Sequence, residues 1–68
     1  MIDKHTTPLD ALKMALEMES RAHDLYKKAS EVVESPGARE MFRFLAEEEV
    51  RHKELIQDEI EKELYKEM

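Results

Sequence analysis

The stretch Glu47-Glu48-Glu49-Val50-Arg51-His52 decides how the rest of this chain is read. Glu49 and His52 are spaced i, i+3, so on a helix both side chains leave from one face. A carboxylate and an imidazole pointing the same way form half of a di-metal carboxylate site of the kind built inside helical bundles. Alone, the pair is weak evidence. With 13 glutamates and three histidines in 68 residues, each His has roughly a one-in-five chance of a Glu three places earlier. Its weight comes from where the pair sits and what faces it.

Composition narrows the setting. Sixty-eight residues allow one small domain, and a chain this short buries little of its own surface. There is no cysteine, hence no disulfide and no thiolate ligand. One glycine and two prolines leave little turn material, and 41% of the residues are charged. Glu, Lys, Ala, Leu and Met dominate, all good helix formers. The fold class expected is all-α. A net charge of −6 argues against nucleic acid as a partner and against anionic lipid. No apolar run approaches the roughly 20 residues of a membrane span, and the first residues lack a signal-peptide core, so a cytoplasmic protein is expected.

Residues 1–68 read as a single helical hairpin. Thr7-Pro8-Leu9-Asp10 supplies an N-cap, a proline at the first helical position and an acid in the first turn. Helix 1 is predicted from about 8 to 34, a turn at 35–37 marked by Ser35-Pro36-Gly37, and helix 2 from about 36 to 65. The apolar residues of helix 1 cover an arc of roughly 200° at 100° per residue, wider than one neighbour requires. One acid lies well inside that arc, Glu19. On helix 2, Ala38, Met41, Phe42, Leu45, Leu55, Ile56, Ile60 and Leu64 line one face, with Glu49 and His52 in its middle. Folding the chain between Ser35 and Pro36 brings Glu19 level with His52, about 25 Å along each helix.

Three ligand-type side chains then converge in an apolar interface. Buried carboxylates need a cation or a partner. One hairpin offers two Glu and one His and no closed core. Two hairpins about a twofold axis enclose a four-helix bundle and double the ligands to four Glu and two His. Four carboxylates balance two divalent ions, and mixed O and N ligands suit iron, manganese or zinc.

The pattern resembles the ferritin-like superfamily, in its rubrerythrin and encapsulated-ferritin branches. The resemblance rests on Met18-Glu19, Ala22 and Tyr26, then on Phe42, Leu45-Ala46-Glu47-Glu48-Glu49 and His52, and covers residues 9 to 57. It implies a hairpin that dimerises into a ferritin-like four-helix bundle. It also implies Glu19, Glu49 and His52 as iron ligands, with Glu49 bridging two Fe per dimer held by both chains. The activity it implies is ferroxidase chemistry, oxidation of Fe²⁺ by O₂ or peroxide, serving iron storage in an encapsulin nanocompartment. The partners expected are a homodimer or higher homo-oligomer and an encapsulin shell. Two departures stand out. The four-cysteine iron module of rubrerythrins has no counterpart here, which removes peroxidase turnover by that route. The further helix and targeting tail of encapsulated ferritins are also absent from these 68 residues, which suits either a short autonomous chain or a piece of a larger enzyme.

Plainer readings compete. A metal-free hairpin serving oligomerisation or as an adaptor would use Glu49 and His52 as a solvated polar pair. Tyr26 suits a core position, His23 an interface or an access route, and the methionines core filling. Glu48, Glu59 and Glu63 read as a solvated acidic face.

Overall fold

A computed structural model describes residues 2–67; Met1 and Met68 lie outside the described residues. Two helices, α1 (Pro8–Val32) and α2 (Pro36–Glu67), pack side by side as an antiparallel hairpin, and the described residues contain no strand. Helix α1 starts where its sequence directs. Thr7 is extended, and its Oγ1 accepts the Asp10 amide at 3.0 Å, satisfying one of the free donors of the first turn. Ser35 plays the same part for α2. Its Oγ accepts from the Ala38 amide at 3.3 Å and its carbonyl from Arg39 at 2.9 Å.

The turn sits earlier than the sequence suggested. Helix α1 ends at Val32, and Val33 is already extended (φ −72°, ψ 143°). Two adjacent β-branched valines weaken the last turn, and Pro36 disfavours helical geometry at Ser35, so the chain breaks over Val33, Glu34 and Ser35. The Arg39 side chain then reaches back, its Nε donating to the Val33 carbonyl at 2.7 Å. At its far end α2 runs to Glu67 rather than 65.

Centring the turn on Glu34 changes the register. Glu19 is level with Glu49, each 15 residues away, and His52 lies nearly one turn beyond. Tyr26 and Phe42, each eight residues from Glu34, stack with centroids 6.2 Å apart at 26°, as this register requires. Two seven-residue series therefore face each other: Leu12, Glu19 and Tyr26 on α1 against Ile56, Glu49 and Phe42 on α2, all half-buried. The carboxylates occupy the layer between Leu12/Ile56 and Tyr26/Phe42.

The hairpin has almost no interior. Among the described residues only Ala46 is buried, at 9%. Met18, Leu25 and Val32 on α1 and Met41 and Leu55 on α2 are more than half exposed, and Leu64 is exposed as well. In the single hairpin Met41 and Leu55 therefore do not share the covered face of Phe42 and Ile56, Met18 and Met41 lie outside it, and Leu64 is exposed because α2 projects past the start of α1. At 100° per residue, the 18-25-32 and 41-48-55 series both lie about 100° round from the α1–α2 contact. In an antiparallel pair equal offsets fall on one side of the hairpin. The wide apolar arc is thus two surfaces, one facing α2 and one facing outward.

Two substitutions test this account by denaturation at fixed protein concentration. Thr7→Ala is expected to cost about 1 kcal/mol and Thr7→Ser little, since only the serine keeps the cap. Ala46→Leu is expected to cost about 1–3 kcal/mol by forcing the helices apart.

Candidate metal centre

Periodicity places the site. Glu19 is held on the α2-facing side of α1 by the same seven-residue series as Leu12 and Tyr26, and Glu49 by that of Phe42 and Ile56. His52 follows Glu49 by three residues, so its ring returns to the same level one turn on. One donor atom from each of Glu19, Glu49 and His52 lies within 4.8 Å of the others. His52 Nδ1 is 3.2 Å from Glu19 Oε2 and 3.6 Å from Glu49 Oε2. A carboxylate oxygen can only accept, so Nδ1 carries the proton in the Glu19 contact. A divalent cation among these three atoms would take that proton's place.

Burial differs sharply across the group. The Glu49 side chain is 12% exposed, Glu19 28% and His52 48%. Glu49 Oε2 is withdrawn from solvent and has no hydrogen-bond partner among the described residues. Leaving a charged acceptor dry and unpaired is costly, about 1–3 kcal/mol or more. The donor chemistry, two carboxylates and an imidazole around an orphaned oxygen, fits a borderline divalent metal such as iron, manganese or zinc. The more exposed His52 lies between the α1–α2 contact and the outward stripe, so the group opens on the apolar side of the hairpin.

The other titratable residues stay out. His23 pairs with its neighbour Asp24 at 3.4 Å and is not among the clustered donors. Glu48 pairs with Arg51 at 3.4 Å, Glu59 with Lys62 at 3.2 Å and Glu63 with Lys66 at 3.1 Å. These are i, i+3 helix pairs, with Glu59 exposed and Glu48 and Glu63 half-buried. Tyr26 stacks on Phe42 as a packing residue. His5 lies in the short arm before α1, where its amide donates to Asp3 Oδ1 at 2.8 Å. Sequence reasoning missed the turn boundary, while Glu19 meets His52 as expected and Glu49 joins them.

If the orphaned Glu49 oxygen is a real cost, Glu49→Met should raise the stability of metal-free protein by about 1–2 kcal/mol. Added divalent metal should stabilise the parent chain and leave this variant unmoved. A metal-free Glu49→Met protein less stable than the parent would show that the carboxylate is held by favourable contacts.

Known proteins provide an independent comparison. A sequence profile described as Rubrerythrin matches residues 10–68, most of the chain and all three clustered donors. Searches of curated proteins and of solved structures returned no match. With the profile covering so much of its length, the chain belongs to the rubrerythrin family.

Proposed function

We propose that the chain is an iron-binding, ferroxidase-type oxidoreductase that works as a homodimer, two iron ions being held by Glu19, Glu49 and His52 of both copies. The observation that carries this reading is the orphaned Glu49 Oε2 within a three-donor cluster. Membership of the rubrerythrin family supports iron as the metal. One hairpin supplies three protein donors, fewer than a pair of metal ions needs, and a second hairpin doubles them. Charge supports the same stoichiometry, because four carboxylates from two copies neutralise two divalent ions.

Each residue then has a task. Glu19 and Glu49 bring negative charge that favours the higher oxidation state over the lower. His52 contributes a nitrogen donor and releases the Nδ1 proton as metal binds. Leu12 with Ile56 on one side, and Tyr26 with Phe42 on the other, limit water at the carboxylate layer. Iron bound there supplies one-electron chemistry, two ferrous ions together giving the two electrons that reduce O₂ to hydrogen peroxide or peroxide to water. The proposal extends to a cytoplasmic setting and to delivery of ferric iron into an encapsulin-type compartment, since two helices enclose no mineral cavity. Among the described residues no helix is long and apolar enough to cross a membrane.

Anaerobic loading with Fe²⁺ followed by air is the direct test, read as ferric absorbance together with metal content. Loss of a neighbour that merely orients a ligand costs about 10–100-fold in metal affinity or activity. Glu49→Ala removes a ligand and is expected to cost at least that. Equal oxidation rates and equal bound iron in both proteins would overturn the proposal and leave a metal-free oligomerisation hairpin.

A further inference from the structure

The carboxylate layer is closed along the hairpin axis and open to one side. Leu12 with Ile56 and Tyr26 with Phe42, all half-buried, bound it above and below. His52, 48% exposed, marks the opening. A small molecule formed at the layer therefore leaves past His52, onto the outward apolar side. Met18 stands on that side. It directly precedes Glu19, so only about 1.5 Å of helix rise separates the two, and it is 68% exposed.

A second thioether lies close by. Met14, half-buried one turn earlier on α1, lines a shallow cleft of about 360 Å³ together with Met18 and Ile2. The Glu17–Arg21 ion pair forms its rim. Such a rim offers donors and acceptors to a small polar molecule, and the thioethers offer it a nucleophile. Met41 is on the outward side too, 55% exposed. It is separated from Glu49 by eight residues of α2, about 12 Å. From Glu19 to Met14 the rise is about 8 Å. The three methionines are thus graded in distance from one layer, with Met18 nearest.

We propose that Met18 is a modification site, its thioether capturing hydrogen peroxide released at the carboxylate layer and becoming methionine sulfoxide. The proposal rests on the iron reading above, which supplies the oxidant. Two ferrous ions each give one electron to O₂, which takes up two protons and becomes hydrogen peroxide. A lone pair of the Met18 sulfur then attacks one peroxide oxygen. The S–O bond forms and the O–O bond breaks. The departing hydroxide takes the proton of the transferred oxygen and leaves as water. Sulfur loses two electrons and peroxide gains them. The second copy, bringing its donors to the same opening, confines the peroxide among these side chains, so proximity rather than exposure to solvent selects Met18. Met14 follows it and Met41 is spared. Each turnover of a dimer yields one peroxide against two Met18 thioethers, so the trap fills within a few turnovers. A polar sulfoxide then stands where an apolar side chain stood.

The test is mass spectrometry after Fe²⁺-loaded protein is exposed to air with catalase present. Trypsin separates residues 14–21, with Met14 and Met18, from residues 40–43, with Met41. Met18 is expected to gain one oxygen atom, Met14 less often, and Met41 no more than in Zn²⁺-loaded protein kept in air. Oxidation that catalase suppresses, or that reaches Met41 as readily as Met18, comes from peroxide in solution and overturns the proposal. Met18→Leu keeps size and apolar character and removes the sulfur. Without catalase, it is expected to form ferric iron at the parent rate and to release peroxide from the first turnover, where the parent shows a lag. Equal release from both proteins overturns the trap. Ferric absorbance without sulfoxide on Met18 removes this inference and leaves the metal reading standing. No ferric absorbance at all removes the metal reading itself.

Discussion

Removing a carboxylate oxygen from water costs several kcal/mol unless a donor or cation replaces the lost hydration. Among the described residues Glu49 Oε2 has no hydrogen-bond donor, the His52 Nδ1 standing off at 3.6 Å. The surrounding features follow from that unmet demand. Among the described residues the helices are joined by one buried alanine, one aromatic stack and otherwise half-buried side chains. A hairpin so thinly packed has little apolar energy to offset a stranded charge. That balance favours a structure in which something outside the chain, a cation together with more apolar cover, completes it.

Much of this was legible. Thr7-Pro8 and Ser35-Pro36 announced both helix starts, and the caps are present at Thr7 and Ser35. The i, i+3 spacing of Glu49 and His52 and the isolation of Glu19 in an apolar arc were enough to bring three donors together. What the residues did not convey was where α1 stops. Capping side chains mark a beginning, whereas Val32 and Val33 end a helix only by weak propensity and by a proline three residues further on. The turn therefore moved from 35–37 to 33–35, while Glu19 still meets His52, with Glu49 beside them.

Burial was the other gap. An apolar arc of roughly 200° shows that a helix has more than one neighbour, but periodicity does not name the neighbour. Met41 and Leu55 resemble Phe42 and Ile56 in chemistry and differ by about 100° in direction. That angle separates contact with α1 from contact with solvent. The division is visible only once both helices are placed.

Ala46 stands one turn before Glu49 and is the most enclosed residue described. Its methyl group lets the two backbones approach closely beside the carboxylate layer. A larger side chain there would push the helices apart beside Glu19 and Glu49. Ions of different radius ask for different spans between their oxygen donors. Under the proposed metal reading, discrimination between one divalent ion and the next would be set partly by a side chain with no donor atom, and a search for selectivity confined to the ligands would pass over it.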